Sequence, residues 1–163
     1  MKKNKGFTLI ELLVVIAIIG ILASVVLASL SSARDKGKDA AVKSQLASMK
    51  AQAELYYSTN ETYSGVCGAA LTANGFGNTT GPGLLKAASD ASGISNTISI
   101  TATDAGVFNF TTCHDAVDTW VVEAPLSASA TGALNSRMYC SDSTGVSKDE
   151  IGVNIAASAT ACS

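Results

Sequence analysis

The feature that most constrains this chain is an uninterrupted apolar run near its N-terminus. From Phe7 to Ala33 the only ionisable side chain is Glu11. A helix rises about 1.5 Å per residue, so this run reaches roughly 30 Å or more, which is enough to cross the hydrocarbon core of a bilayer. The sequence therefore predicts a membrane-spanning helix over residues 7–33.

The charges on either side of the run predict its orientation. Lys2, Lys3 and Lys5 precede it, whereas Arg34 and Asp35 follow it. Basic residues are retained on the cytoplasmic side of the membrane. We therefore expect a single-pass precursor in the inner (cytoplasmic) membrane, with a cytoplasmic N-terminus and everything after the run exported.

Glu11 is the anomaly within the run. A carboxylate at the centre of a membrane helix costs about 2.5 to 3.5 kcal/mol on insertion scales, and less near the interface. One hypothesis is that Glu11 meets a cation supplied by another copy of the chain. The alternative is an interfacial acid that is hydrated by lipid headgroups.

The first 30 residues resemble the type IV pilin family, including the closely related secretion-system pseudopilins. The resemblance is carried by a short basic leader that ends in Gly6, by the segment from Phe7 to Glu11, and by the apolar residues up to Ala23. It implies that a prepilin peptidase cuts between Gly6 and Phe7, that the new Phe7 amine is N-methylated, and that the apolar run is retained. The alternative is an ordinary secretory signal, cut after a small residue such as Ala33, but such a signal has no reason to carry Glu11.

The resemblance also implies how copies of the chain assemble. The Phe7 amine of an incoming subunit would pair with Glu11 of a subunit already in a helical filament, with the help of an assembly platform in the inner membrane. In a low dielectric such a pair is strong when both members are present and costly when one is missing. The mature chain would therefore pass from the membrane into an extracellular pilus.

Composition limits what the remainder can be. The chain has 163 residues, of which 47% are hydrophobic and 15% charged, which fits one membrane helix and one domain of about 100 residues. Loss of residues 1–6 removes three lysines and moves the net charge from −2 to −5. An acidic exported domain argues against nucleic acid as a partner.

Hydrophobic periodicity predicts an α+β fold. An apolar stripe continues the helix through an amphipathic half, 34–58, and consists of Val42, Leu46, Met49, Ala53 and Tyr56. The globular region 59–163 begins with a loop, 59–95, that holds one short helix at 84–91. From residue 96 the period changes to two, which predicts four short strands near 98–100, 107–110, 119–124 and 136–140. The expected fold is a pilin-like long helix packed on a four-stranded antiparallel sheet, with Trp120, Val122 and either Phe108 or Phe110 covering the stripe.

Four cysteines, Cys67, Cys113, Cys140 and Cys162, all fall in the exported part. In an oxidising compartment they predict two disulfides, for which three connectivities can be drawn. We favour Cys67–Cys113 and Cys140–Cys162, because the second pair would close the C-terminal loop after the last strand. Structural zinc is disfavoured, since no Cys-x-x-Cys spacing occurs and the only histidine, His114, is expected at a surface strand end.

No residue pattern predicts a cofactor or a metal. Asp142, Asp149 and Glu150 could supply oxygen ligands to calcium, but their spacing does not match a known calcium loop. Three tripeptides of the N-glycosylation type, which start at Asn60, Asn78 and Asn109, are attributed to chance in a threonine-rich chain. The sequence contains no nucleophile elbow, no recognisable carboxylate pair and no phosphate loop.

The expected function is that of a structural, non-enzymatic subunit of a type IV pilus or pilus-like filament. The nearest alternative is a major pseudopilin of a type II secretion system. A minor pilin with a DNA-binding or adhesive role and an exported enzyme anchored by its N-terminus are the others. Roles in motility, cell adhesion and secretion stay open.

Overall fold

The computed structural model describes residues 6–68, 74–77, 83–94, 97–101, 110–127, 137–152, 155–156 and 158–162. The chain divides into two compact units, Met1–Arg34 (the first unit) and Asp35–Ser163 (the second unit), which are treated separately below. Several expectations lie outside the described residues: the leader lysines, the strand segment 107–109 with Phe108, and the tripeptides that start at Asn78 and Asn109.

Helix α1 spans Leu9–Asn60. It begins two residues after the predicted Phe7, because Thr8 caps its first turn. At its other end, the N–H of Glu61 donates to the carbonyl oxygen of Tyr57 at 2.7 Å, and Glu61 adopts a left-handed conformation with φ 55°. A residue in this conformation ends a helix, so α1 stops two residues beyond the predicted Ser58.

The second unit contains one short helix and five strands. Helix α2 spans Leu84–Ser92, close to the predicted 84–91. The strands are β1 (Thr97–Ser99), β2 (Phe110–Asp115), β3 (Trp120–Pro125), β4 (Arg137–Asp142) and β5 (Ser147–Ile151). They form one sheet in the order β1-β2-β3-β4-β5, in which β1 pairs with β2 in parallel and the other three pairs are antiparallel.

The predicted fold class is confirmed, with differences in the sheet. The second strand covers 110–115 within the described residues, and β5 is additional. It escapes the period-two pattern because three charged residues, 148–150, lie within it, and such residues are depleted in strands generally but common on exposed edges. The parallel pairing of β1 is the other difference from an all-antiparallel sheet.

The core of the second unit lies between α1 and one face of the sheet. All five residues of the predicted stripe are buried, four of them completely and Tyr56 with 9% exposure. Trp120 and Val122 pack in the same cluster, as predicted, whereas Phe110 is only half-buried. Phe76, which the sequence analysis did not single out, places its ring edge-on to Trp120 at 5.2 Å between centroids. Leu85 and Ala88 of α2 complete this cluster.

The opposite face of the sheet is also covered. Val121, Cys140 and Ile155 form a second apolar cluster there, with Ala159 and Cys162 packed against it. His114 is completely buried, and its Nδ1 lies 2.9 Å from the carbonyl oxygen of Ala159. The expectation of a surface position for His114 is therefore wrong, because the C-terminal segment covers that face.

Candidate functional site

The N-terminal turn of α1 holds the residues that the sequence analysis singled out. Oε2 of Glu11 accepts hydrogen bonds from the backbone N–H of Thr8 at 2.8 Å and from its hydroxyl at 2.6 Å. The backbone N–H of Glu11 lies 3.3 Å from the same hydroxyl. This reciprocal arrangement of a threonine N-cap and a glutamate three residues later is a capping box, which satisfies N–H groups that a helix start otherwise leaves without partners.

The capping box leaves one oxygen of Glu11 able to accept further hydrogen bonds. All of its side-chain hydrogen bonds to Thr8 fall on Oε2, and no other described residue donates to Oε1. A carboxylate has about four acceptor positions over its two oxygens. Glu11 can therefore accept an additional cationic donor without giving up its contacts with Thr8.

The Gly6–Phe7 peptide bond precedes the helix. Both residues lie outside regular secondary structure and are exposed, with Phe7 at 86% exposure. No atom comes within 4 Å of the position that a Cβ on Gly6 would occupy. An exposed bond in non-helical backbone suits proteolysis. Glu11 lies close to this bond in sequence, and in the uncut chain the Phe7 nitrogen belongs to the Gly6–Phe7 peptide bond.

The apolar run is exposed on every side within the first unit. All described residues from 6 to 34 are exposed. Within the described part of the chain, α1 is the one helix long and apolar enough to cross a membrane by length and composition. A helix that is apolar all round is normally buried in a protein core or in a bilayer. The apolar helix therefore fits membrane insertion.

The four cysteines form two disulfides in the second unit. Cys67, in the turn after α1, is joined to Cys113 of β2, and Cys140 of β4 is joined to Cys162 near the C-terminus. This is the connectivity that the sequence analysis favours. The bonds close loops of 46 and 22 residues, which corresponds to about 4 and about 3 kcal/mol of stabilisation in the chain-entropy treatment.

Two of the three acids considered for calcium, Asp142 and Asp149, are engaged by groups of the protein itself. Asp142 accepts hydrogen bonds from the backbone N–H groups of Thr144 at 2.9 Å and Cys162 at 2.9 Å. Asp149 contacts two basic side chains, described below. The carboxylate of Glu150 lies within 4.8 Å of the sulfurs of Cys140 and Cys162, but sulfurs in a disulfide are not thiolate ligands.

An ion-pair cluster between α1 and strands β4 and β5 was not predicted. Lys43 Nζ lies 2.6 Å from Asp149 Oδ1, and Arg137 contacts both Asp149 and, at 3.7 Å, Asp39. Asp39 also accepts a hydrogen bond from the backbone N–H of Ser127 at 2.7 Å. Burial tends to raise the pKa of Asp149, but hydrogen bonds from Lys43 and Arg137 outweigh it, so the net effect is a lowered pKa.

The capping box and the ion-pair cluster differ in how far the sequence alone indicates them. Thr8 and Glu11 have the spacing of a capping box immediately before an apolar run, so Thr8 could have been identified. The Asp39, Lys43, Arg137 and Asp149 cluster joins residues about a hundred positions apart, and no local pattern indicates it.

Comparison with known proteins identifies one matching family model and several similar proteins. A family model described as the prokaryotic N-terminal methylation motif matches residues 1–27. The chain is 46% identical over 63 residues to the type IV wide pilus major component PilA4 of Thermus thermophilus, which is 39% of this chain and 48% of that protein. It is 36% identical over 63 residues to the type II secretion system core protein G of Klebsiella pneumoniae, 39% of this chain and 45% of that protein. It is 36% identical over 62 residues to the type IV major pilin protein PilA of Myxococcus xanthus, 38% of this chain and 28% of that protein.

These matches cover part of each protein. The aligned portion spans about half, or less, of the length of the curated relatives. No solved structure matches the chain. Over the aligned portion, the chain is homologous to type IV pilins and to core protein G of type II secretion systems, and it carries the prokaryotic N-terminal methylation motif of residues 1–27.

Proposed function

We propose that this chain is a structural, non-enzymatic subunit of a type IV pilus or pilus-like filament. Mature copies would leave the membrane laterally, and their apolar helices would form the hydrophobic centre of a helical fibre. The contact is heterologous, because one surface of a copy meets a different surface on the next, and such contacts generate open helical assemblies. The pilins among the homologues support this function.

The observation that carries the proposal is the pairing of an exposed apolar helix with one acid at its start. Glu11 already accepts two hydrogen bonds from Thr8 on one oxygen, and its other oxygen remains available for a neighbour's Phe7 amine. Within the described residues of the first unit, nothing covers the apolar side chains of this helix, which would therefore be exposed to water outside a membrane. A bundle of identical helices supplies both the apolar surroundings and the amine.

Processing and location follow from the same proposal. A prepilin peptidase on the cytoplasmic side would remove residues 1–6, and Phe7 would be N-methylated, consistent with the matched motif. Residues 7–33 would cross the inner membrane with the N-terminus in the cytoplasm, 34–58 would complete the helix on the exported side, and 59–163 would form the exported globular head. An assembly platform in the inner membrane would then transfer the subunit into the filament.

The test separates the charge of Glu11 from its capping role. Glu11→Gln keeps a side chain that can cap the helix but removes the negative charge, whereas Glu11→Ala removes both. We expect both variants to insert and to be cut after Gly6, and both to give few or no surface fibres. The measurements are the N-terminal mass of the mature chain and the amount of this protein in sheared surface fibres.

The matched control is Glu54→Gln, a charge-neutralising change on the exposed side of the second half of α1. We expect it to give fibres in near-normal amount. Fibres from Glu11→Gln at the wild-type level would show that the charge has no part in assembly. A mature chain that begins beyond Ala23 would remove the basis of the proposal altogether.

A second candidate is the major pseudopilin of a type II secretion system. It is favoured by the 36% identity to core protein G of Klebsiella pneumoniae. Its signature would be loss of secretion of exported proteins on deletion of this chain, without loss of surface fibres. A calcium requirement for folding would also favour it, although Asp142 and Asp149 are engaged by groups of the protein itself.

A minor pilin that binds DNA has less support. After Ser58 the sequence has only three basic residues, Lys86, Arg137 and Lys148. Each of them lies in an ion pair with an acid of the same unit. Binding to nucleic acid depends on cations that can neutralise phosphates. The three basic side chains of the globular head are thus already paired with acids, which argues against a phosphate-binding surface on the head.

A further inference from the structure

The Cys140–Cys162 disulfide attaches the C-terminal segment to the face of the sheet opposite α1. Two hydrogen bonds lie beside it. The backbone N–H of Cys162 donates to Asp142 at 2.9 Å, and the carbonyl oxygen of Ala159 lies 2.9 Å from His114 Nδ1. A single hydrogen bond contributes little net stability, so the covalent bond is the main restraint on the end of the segment.

A buried acid borders this disulfide. Glu150 of β5 is 7% exposed, and one of its carboxylate oxygens lies within 4.8 Å of the sulfurs of both Cys140 and Cys162. Strand register places it there. Cys140 pairs with Lys148 and Met138 pairs with Glu150, so all four side chains point to the same face of the sheet. The negative charge of Glu150 therefore acts on both sulfurs at short range.

Lys148 balances this charge only in part. Its Nζ lies 3.1 Å from Oε1 of Glu150, but the Lys148 side chain is 42% exposed, whereas the Glu150 side chain is 4% exposed. Water screens the exposed ammonium group more than the buried carboxylate. The second oxygen, Oε2, is buried and accepts no hydrogen bond from any described residue. The electrostatic potential at the sulfurs therefore stays negative.

A negative potential opposes the reaction that opens a disulfide. Cys140 is completely buried and Cys162 is half-buried, so a small external thiolate reaches Sγ of Cys162 first. Its sulfur bonds to that atom, and the electron pair of the broken S–S bond leaves with Cys140 as a thiolate. A second external thiolate then attacks the mixed disulfide, which releases the Cys162 thiolate and the oxidised reductant. In the first step the incoming and departing sulfurs are both anionic beside Glu150, and like charges repel strongly in a buried site.

We propose that Glu150 protects the Cys140–Cys162 disulfide against reduction by anionic thiolates and so keeps the C-terminal segment on the sheet. The other disulfide is an internal reference. Within the described residues, no carboxylate oxygen lies within 4.8 Å of both sulfurs of Cys67–Cys113. The proposal concerns the second unit alone and does not depend on whether the chain forms filaments.

The test compares two reductants on the full-length protein in detergent micelles. 2-Mercaptoethanol attacks as an anion, whereas tris(3-hydroxypropyl)phosphine attacks as a neutral molecule, forms a phosphonium on sulfur and is hydrolysed by water to the phosphine oxide. Alkylation, proteolysis and mass spectrometry give the reduction rate of each disulfide. Glu150→Gln keeps the shape and removes the charge, so we expect about tenfold faster thiolate reduction of Cys140–Cys162 and a nearly unchanged rate with the phosphine. Lys148→Met, which removes the balancing cation, should slow the thiolate reaction.

Asp149→Asn is the matched control, because it removes an acid from the next position of β5, where the side chain points to the other face of the sheet. Its rates should equal those of the wild type with both reductants. The proposal is overturned if Glu150→Gln reacts with the thiolate at the wild-type rate, or if it speeds up equally with both reductants, which would mean a loosened segment. It is also overturned if Asp149→Asn, or the Cys67–Cys113 bond of Glu150→Gln, shows the same acceleration, because net charge or global opening would then be the cause.

Discussion

The two halves of α1 are both helical, but the apolar side chains of the first half are exposed and those of the second half are buried. In residues 9–34 the large apolar side chains are between 46% exposed, at Leu30, and 80% exposed, at Leu9. In residues 35–60, Val42, Leu46 and Met49 are completely buried. The first half is apolar all round, and the second has a single apolar stripe.

The difference shows what each half requires from its surroundings. The second half meets its requirement within the chain, because the sheet of its own unit covers the stripe and strands β4 and β5 supply partners for Asp39 and Lys43. The first half makes local polar contacts, namely the capping box of Thr8 and Glu11 and a hydrogen bond from the Ser24 hydroxyl to the carbonyl oxygen of Ile21 at 2.8 Å. Its remaining surface needs a bilayer or other helices. One helix thus has a folding function in its second half and, under the function proposed above, an assembly function in its first half.

The largest expected effect comes from the same substitution made in each half. Leu46→Ala removes a completely buried side chain, and such changes cost about 2–5 kcal/mol. We expect the Tm of the second unit, measured by circular dichroism in micelles, to fall by roughly 10 °C. Leu22→Ala, at a position that is 60% exposed, should leave that Tm unchanged. Equal losses of Tm in the two variants would contradict the division of function along α1.

The buried half of α1 is also the part of the fold that the sequence predicts best. Apolar residues at spacings of three and four identify the face that must be covered, and all five predicted positions are buried. The sheet is harder, because strand pairing joins residues that are distant in sequence. Nothing local to Thr97–Ser99 indicates that it pairs in parallel with β2. The sequence does not indicate strand β5, because its three central residues are all charged. Lys148 and Glu150 point to one face of the sheet and Asp149 to the other, so no alternation of apolar and polar residues is visible.

The predicted assembly site shows a different limit. The sequence indicates Gly6 and Phe7 through the leader motif, and Glu11 through the free-energy cost of placing a carboxylate in an apolar helix. It does not reveal that Thr8 donates two hydrogen bonds to one oxygen of Glu11. The sequence favours a surface strand-end position for His114, because a lone histidine flanked by Cys113 and Asp115 is more often such a residue than a catalytic base. The C-terminal segment that covers it is held by the Cys140–Cys162 disulfide, and its position follows from long-range packing.

A smaller effect is expected in the apolar half. Thr8→Val removes the hydroxyl and keeps a similar shape, and loss of an N-cap costs about 1 kcal/mol. We expect faster amide hydrogen exchange in the first turn of α1, residues 9–12, and an unchanged Tm for the second unit. Glu11→Gln should change exchange less, because glutamine can still reach back to the cap. Unchanged exchange in Thr8→Val would mean that the capping box does not stabilise this turn.

The smallest effect concerns pH and tests the anchoring of the amphipathic half. The Lys43 and Arg137 side chains lower the pKa of Asp149 below its ordinary value of 3.8 despite the opposing effect of burial. A carboxyl group whose pKa is lower in the folded state contributes stability at pH values above its unfolded pKa, and that contribution is lost as pH falls through the folded pKa. The side chain is 38% exposed, so solvent screening limits the contribution to less than about 1 kcal/mol.

Asp149→Asn should therefore lower the Tm slightly at pH 6, and the gap to the wild type should close as pH falls below about 4. Asp118→Asn, at an exposed position between β2 and β3, is the control for removing an acid without this ion pair, and its gap should be smaller at pH 6. The measurement is the Tm of all three proteins from pH 6 to pH 2.5. A gap for Asp149→Asn that persists at the lowest pH would mean that shape or packing, rather than the charge shared with Lys43 and Arg137, joins β5 to α1. That outcome would assign the attachment of the second half of the helix to its apolar stripe and to contacts such as the hydrogen bond between Asp39 and Ser127.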